Sequence, residues 1–282
     1  MKIRYGGVMV IVLTGAWCVG MPGLTESSSV AMAIDSPRVA MVRMTANLGR
    51  VESQIELGKR YALGDGVKQD DGRSVDWFRR AAKNGSAEAQ YRLGIAFLTG
   101  KGTSRDESEA ARCFREAADQ SYPEAVYQLG ACYWAGRGIT QDRTKALELF
   151  QTATDAGVAD AQYDLGVCLA TGREIGKNER RAAELFLSAA ERGLAPAQYN
   201  IGICYLYGRG LDQSHERAAV WFRRAADQGH AEAQYQLARC YQEGIGLTRN
   251  PIEARWWYHR AADQGIEAAI EAIRADQKPG ND

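Results

Sequence analysis

The chain has 282 residues, with 35 acidic and 35 basic side chains and a hydrophobic content of 45%. Because these charges balance, no overall field attracts the protein to nucleic acid or to an anionic membrane surface. The three histidines, His215, His230 and His259, are scattered and offer little material for a metal site. The longest apolar run is too short to span a bilayer. We therefore expect no nucleic-acid partner, no cofactor, no metal and no integral membrane segment in the mature chain.

Residues 1–33 have the pattern of an export signal. Lys2 and Arg4 give a positive start, residues 8–19 are mostly apolar, and a small-x-small cleavage pattern ends at Ala33. The pattern predicts cleavage after Ala33 and a periplasmic or secreted protein. The alternative is a cytoplasmic adaptor that is not exported and keeps its first residue.

Residues 34–50 lack the pattern of the segments that follow them. Their apolar residues, from Val39 to Leu48, can form a short helix that caps the first repeat. A loose linker is the alternative.

From residue 51 the sequence repeats with a period of 36 residues and without insertions. A shared tyrosine recurs at this spacing from Tyr91 to Tyr235, and a shared glycine recurs from Gly64 to Gly244. The six copies are residues 51–86, 87–122, 123–158, 159–194, 195–230 and 231–266. Residues 267–282 form a half-repeat cap and a tail. Such a period is typical of a stacked array, and not of a closed domain around one active site.

Each copy predicts two antiparallel helices. In the fifth copy, residues 196–207 are densely apolar, the glycines at 208 and 210 end that helix, and residues 216–227 form the second helix. Short connections keep neighbouring helices antiparallel and in contact. The fold class is therefore an all-α solenoid of helix pairs.

Small residues at fixed positions predict close packing within each helix pair. A glycine in the middle of a helix costs about 1 kcal/mol relative to alanine, so a recurrent one indicates that a facing side chain needs its space. These glycines are Gly58, Gly94, Gly130, Gly166 and Gly202. We expect the facing residues to be Phe78, Phe114, Phe150, Phe186, Phe222 and Tyr258.

The fourth copy departs from the pattern, since Glu174 stands where the other copies have a second loop glycine. A residue other than glycine disfavours a positive φ, so we expect this loop to take another path. We favour a local bend of the stack as the reason, and a loop that serves a partner is the alternative.

The pattern A-E-A-Q-Y-x-L-G, then G-x-G, then A-x-x-W-F-x-x-A-A-x-x-G resembles the Sel-one-like repeat, a relative of the tetratricopeptide repeat. The resemblance covers residues 51 to about 276. It implies a right-handed α/α superhelix that acts as an adaptor, scaffold or regulator. In bacteria many such proteins are exported and assist envelope signalling, polysaccharide control or host contact.

The cysteines do not follow the disulfide pattern of a secreted branch of that family, which has Cys where this chain has Ala82 and Gln90. Cys113 lies at a repeat position of its own. Four copies have a cysteine at one shared position: Cys132, Cys168, Cys204 and Cys240. Packed helices lie about 8–10 Å apart, beyond the reach of a disulfide. We interpret these residues as small buried apolar fillers, with reactive thiols as the alternative.

The sequence contains no recognisable catalytic set. No Ser-x-x-Lys occurs, and His215-Glu216 does not continue into a zinc-protease motif. An acid near the start of most first helices suits the positive end of the helix dipole better than a catalytic row. We predict no catalytic residues. An exported β-lactam or cell-wall hydrolase, suggested only by reports on the secreted branch, is the alternative.

A binding site is predicted on the first helices, which the tetratricopeptide relation places on the concave face. A groove of aromatic, aliphatic and a few polar side chains suits a protein or peptide segment, and Trp, Tyr and Arg dominate such contacts. The candidates are Arg92, Ile95, Leu98, Gln128, Trp134, Asp164, Val167, Asn200, Ile203, Leu206, Tyr207, Gln236 and Arg239. Packing of Trp134 and Leu206 between repeats is the alternative for those two residues. The oligomeric state stays open.

Overall fold

The computed structural model describes residues 37–276, so the predicted export signal lies outside the described residues. Within this range the chain forms helices joined by short loops. In order they are α1 (Pro37–Asn47), α2 (Val51–Leu63), α3 (Asp71–Lys83), α4 (Ala87–Thr99), α5 (Glu107–Ala118), α6 (Pro123–Ala135), α7 (Arg143–Asp155), α8 (Ala159–Thr171), α9 (Glu179–Glu191), α10 (Ala195–Tyr207), α11 (His215–Asp227), α12 (Ala231–Glu243), α13 (Pro251–Asp263) and α14 (Glu267–Asp276). Each helix packs against the next one along the chain. The fold is the predicted all-α solenoid.

The helix ends follow from local sequence signals. Every first helix of a repeat, from α2 to α12, ends at a glycine in the left-handed conformation, with φ between 67° and 76°. Every second helix, from α3 to α13, begins after a polar residue whose side chain accepts a backbone N–H of the first turn. These caps satisfy donors and acceptors that a helix end leaves without partners.

Aromatic rings fill the space beside the mid-helix glycines, as predicted. A Cβ atom placed on Gly202 would lie 2.6 Å from the nearest ring carbon of Phe222, which is fully buried. The same contact recurs at the other four glycines. The first and second helices of a repeat therefore approach more closely than any larger residue would allow.

A ladder of glutamine pairs, each with one buried and one exposed member, joins successive repeats and was not predicted from the sequence. Gln234 is 1% exposed; its Nε2 donates to the carbonyl of Ala226 at 3.2 Å, and its Oε1 accepts from Gln264 Nε2 at 2.7 Å. Gln198 makes the same two contacts one repeat earlier. In the fourth copy Arg192 replaces the donor glutamine, and Gln162 Oε1 has no hydrogen-bond partner.

The loop of the fourth copy adopts a positive φ at Glu174, which the sequence did not predict for a residue other than glycine. Its φ is 61°, close to the 74° of Gly210 in the next copy. A Cβ on Gly210 would overlap the carbonyl oxygen of Glu179, so the other loops approach the preceding helix too closely for a side chain. The Glu174 carboxylate instead pairs with the guanidinium of Arg143 across the repeat boundary. This ion pair accompanies a strained backbone that glycine would adopt freely.

Short helices pack on both ends of the repeat array. In α1, Val39 and Ala46 are buried against Leu57 and Tyr61 of α2. At the other end α14 buries Ala269, and its Asp276 accepts two hydrogen bonds from the guanidinium of Arg255. The apolar ends of a solenoid are thus partly covered. Between residues 37 and 276, no helix combines the length and apolarity needed to cross a membrane.

Candidate partner-binding groove

The first helices of the repeats share one accessible side. In α8 this side consists of Asp160, Tyr163, Asp164, Val167 and Thr171, which are exposed or half-buried at helical spacing, while the opposite side is buried in the core. The equivalent side chains of α2, α4, α6, α10 and α12 lie at the same repeat positions. We call this surface the groove face.

Two cavities open on the groove face at equivalent repeat junctions. The larger, between the fourth and fifth copies, has a volume of about 540 Å³ and is lined by Val167, Asn200 and Ile203 among others. The smaller, between the first and second copies, has a volume of about 270 Å³ and is lined by Arg92 and Ile95. Five of the predicted residues thus lie at two cavities, three in one and two in the other.

Polar residues of the groove face contact the shared tyrosine of the preceding copy. The hydroxyl of Tyr127 donates to Asp164 Oδ2 at 3.0 Å. Burial raises the pKa of the Asp164 carboxyl, an effect that this hydrogen bond opposes. One repeat later, Asn200 forms a hydrogen bond with Tyr163 that acts to lower the pKa of the tyrosine hydroxyl, against the larger effect of burial, which raises it. These side chains connect successive repeats as well as facing the groove.

The two predicted arginines are paired within the protein. Arg92 Nε lies 2.9 Å from Glu88 Oε1, and the same carboxylate contacts Lys59 Nζ at 2.6 Å. Arg239 Nε lies 3.1 Å from Glu243 Oε1. A partner that uses either guanidinium has to share it with these carboxylates.

The predicted aromatic and aliphatic anchors differ in accessibility. Tyr207 is 53% exposed, and the guanidinium of Arg209 lies 5.2 Å from its ring centroid. Trp134 is half-buried against Phe150, with ring centroids 6.0 Å apart. Leu206 is only 8% exposed and belongs to the core, so the structure supports the alternative of packing between repeats for this residue. The remaining predicted residues, Leu98, Gln128 and Gln236, are half-buried and lie apart from the two cavities.

Sequence reasoning missed a row of basic residues along one edge of the groove face. These residues stand between the two loop glycines, or at the equivalent place, in four consecutive copies: Lys101, Arg137, Arg173 and Arg209. All four are exposed, and Arg209 lines the larger cavity. The signal was present in the sequence as a basic residue at every 36th position. We call this row the basic edge.

The cysteines between residues 37 and 276 offer no accessible nucleophile. Cys113, Cys132, Cys168, Cys204 and Cys240 are all free and buried, which confirms their interpretation as apolar fillers. Burial raises the pKa of the thiols of Cys113, Cys204 and Cys240 to about 11. The thiolate is the reactive form, so these side chains are poor nucleophiles at neutral pH. Among residues 37–276, no group of three or more potential metal ligands occurs.

Comparisons with known proteins agree with the repeat architecture. The chain is similar to the SLR-fold protective antigen c5321 of uropathogenic Escherichia coli, with 26% identity and a TM-score of 0.66 over 82% of this chain and 57% of that one. It is also similar to a Sel1 repeat protein from Oxalobacter formigenes, with 29% identity and a TM-score of 0.67 over 76% of this chain and 85% of that one. A comparison with curated proteins found no match.

The chain thus spans little more than half the length of the antigen that it resembles. The family model described as Sel1 repeat matches six consecutive segments, residues 51–86, 87–122, 123–158, 159–194, 195–230 and 231–266. These segments make up most of the sequence and have the boundaries of the helix pairs. The protein belongs to the Sel1 repeat family.

Proposed function

We propose that the protein is a non-catalytic scaffold or regulator that binds a segment of a protein partner on the concave, groove face of the solenoid. A Sel1 repeat solenoid is a fold typical of protein–protein interaction. The observation that carries the proposal is the larger cavity, where Val167, Ile203 and Asn200 combine apolar and polar contacts at a repeat junction. Such a surface offers shape and fixed hydrogen-bonding groups to a peptide.

Site-specific photo-cross-linking in the native host tests this function. A photoreactive amino acid replaces Val167 on the groove face or, as the matched control, Val220 on the outer side of α11, which is 50% exposed. We expect the groove position to form a cross-link to a protein partner and the outer position to form none. Equal cross-linking at both positions, or none at Val167, would contradict a groove that binds a partner.

Trp134→Ala provides a second test of the same function. If this half-buried ring anchors the partner, its removal weakens binding by about 2 kcal/mol or more. Thermal melting of the variant separates lost binding from lost folding, since Trp134 also contacts Phe150. Unchanged partner capture by a variant that melts normally removes Trp134 from the site.

We propose that the protein is located in the bacterial cell envelope, because residues 1–33 have the pattern of an export signal. The buried thiols are compatible with an oxidising compartment, because burial limits both thiolate formation and access. N-terminal sequencing of the mature protein tests the location. A first residue of Ile34 supports export, and an intact Met1 supports the cytoplasmic alternative.

A further inference from the structure

Most of the basic edge carries positive charge without an ion-pair partner in the part of the chain that the structure describes. Nearby acids already have partners, since Glu107 pairs with Arg105 at 2.5 Å and Glu179 pairs with Lys177 at 2.6 Å. Glu174, beside Arg173, pairs with Arg143. Lys101 lies 3.4 Å from Asp71.

By contrast, within residues 37–276 no ion pair involves Arg137, Arg173 or Arg209. The guanidinium of Arg209 contacts the ring of Tyr207, but this ring is uncharged and does not neutralise the arginine. Three consecutive repeats therefore present an arginine that is available to an anionic group.

An apolar row runs beside the basic edge over the same repeats. At one position of the groove face the second to fifth copies have Ile95, Ala131, Val167 and Ile203, all half-buried. In the first and sixth copies this position is charged, as Lys59 and Arg239. The basic edge ends with the same copies, because its position there is Asp65 and Ile245. The two rows are thus matched in length and in register.

The larger cavity brings the two rows together. Val167 and Ile203 of the apolar row line it together with Arg209 of the basic edge. The smaller cavity repeats the arrangement with Ile95 and Lys101. A side chain that enters either cavity therefore meets an apolar wall, a cationic group and a carboxylate, Glu179 or Asp71, that is already paired with a lysine.

The opposite edge of the groove face carries the other sign of charge. Glu124, Asp160 and Glu232 stand in the first turn of their helices, where a carboxylate interacts favourably with the helix dipole, and all three are exposed. An acidic segment is repelled by this edge and attracted by the basic edge. The groove face therefore fixes the orientation of a charged occupant across its width.

We propose that the groove partner is an extended segment rich in aliphatic and acidic residues, held across the second to fifth copies. This inference rests on the function proposed above and specifies its partner. Packed helices of neighbouring repeats lie about 8–10 Å apart. This is close to the length of three residues of a polyproline II helix, at about 3.1 Å each, and that conformation turns every third side chain to the same side. Carboxylates three residues apart therefore meet Arg137, Arg173 and Arg209 in turn, while aliphatic side chains between them contact the apolar row. The whole contact takes about ten residues.

Selection from a library of random displayed peptides on the intact chain tests the inference. The expected result is enrichment of peptides with aliphatic residues and with Asp or Glu spaced by three. A synthetic peptide of three Leu-Ala-Asp triplets is then titrated against the chain and against the triple variant R137E/R173E/R209E. We expect the variant to bind it at least about tenfold more weakly, with the difference reduced by added salt.

The matched control reverses three exposed bases of the second helices, in the variant K83E/R180E/R224E, so that net charge changes equally. We expect this control to keep the affinity of the intact chain. Enriched peptides that lack acids, or an equal loss in both variants, would overturn the acidic partner and leave groove binding in place. If the Val167→Asp variant enriches the same peptides as the intact chain, the peptides bind outside the groove face. The proposed function would then be wrong as well.

Discussion

At the scale of single residues, a missing Cβ atom sets the distance between the two helices of a repeat. The ring of Phe222 lies where a side chain at position 202 would project, and neither group has free space around it. Closely packed interiors do not absorb an added methyl group without moving side chains or backbone. The mid-helix glycines are therefore retained despite their low helix propensity.

Gly202→Ala is expected to lower the free energy of unfolding by about 1 kcal/mol. Overpacking costs about 1–3 kcal/mol, and the higher helix propensity of alanine offsets about 1 kcal/mol of it. Urea unfolding of the intact chain measures the change. The sixth copy supplies the control, because Ala238 already occupies this position there. Ala238→Gly should also destabilise, through helix propensity and the loss of a buried methyl group, whereas a stabilised Gly202→Ala would contradict the packing argument.

Asp164→Asn is expected to stabilise the protein at neutral pH. Burial raises the pKa of Asp164 in the folded state. The protonated Asp164 carboxyl therefore contributes its full share of the free energy of unfolding below the pKa that it has in the unfolded state, about 3.9. This contribution is lost as the pH rises through the higher pKa that it has in the folded state. The amide oxygen of asparagine can still accept the Tyr127 hydroxyl, and the next copy has Asn200 at this position.

Urea unfolding of both proteins across the acidic range checks this prediction. The difference in the free energy of unfolding between Asp164→Asn and the unchanged protein should shrink as the pH falls towards the ordinary pKa of a carboxyl. Asp160→Asn, in the same helix but exposed, controls for the loss of one negative charge. A stability advantage that grows at low pH would contradict the assigned direction.

At the scale of elements, the glutamine ladder differs between copies in the hydrogen bond between its two members, which lie in the same repeat. In the third copy Val126 and Ala156 replace both of its members, so an apolar pair takes the place of the hydrogen bond. In the fourth copy only the donor is replaced, by Arg192, and a buried acceptor on Gln162 is left without a partner. Unpaired buried acceptors cost more than apolar replacements.

Arg192→Gln is therefore expected to raise the free energy of unfolding by about 0.5–1.5 kcal/mol, the usual net value of one hydrogen bond. The new Nε2 group would donate to Gln162 Oε1 as Gln228 does to Gln198. Chemical denaturation measures the gain. The reverse change, Gln228→Arg, should destabilise the fifth copy by a similar amount. If Arg192→Gln gains nothing while Gln228→Arg loses nothing, the ladder does not stabilise the stack.

The loop of the fourth copy gives a second prediction at this scale. Glu174→Gly removes a strain of about 1–2 kcal/mol from the left-handed residue, and it also removes an exposed ion pair with Arg143 that contributes about 0.2–1 kcal/mol. A net stabilisation of about 1 kcal/mol should follow, measured as a shift of the thermal midpoint. Gly210→Ala is the matched control, and it should strongly destabilise because its Cβ would overlap Glu179. A Glu174→Gly variant that unfolds earlier would show that the ion pair outweighs the strain.

At the scale of the whole molecule, the period of 36 residues was sufficient to predict the helix pairs and the contact of Phe222 with Gly202. Both depend on neighbours within one copy, and six copies repeat the signal. The positive φ of Glu174 was not predictable, because a partner 31 residues away, Arg143, accompanies this unfavourable conformation. The burial of Leu206 likewise depends on how adjacent copies pack. The basic edge could be identified from the sequence, but only the structure showed that it lies beside Val167.

Deletion of one complete copy, residues 159–194, is expected to leave a folded, shorter solenoid. The cut joins Val158 to Ala195, which continues the period, and the main contacts of each helix are with the helices next to it along the chain. The helical signal per residue in circular dichroism should be unchanged, while the urea midpoint and the m-value decrease with the lost interface and surface. Removing only α8 and its loop, residues 159–178, is the control, because it leaves α7 and α9 without the helix that separates them. If the whole-copy deletion is as poorly folded as this control, stability does not spread from neighbour to neighbour along the array.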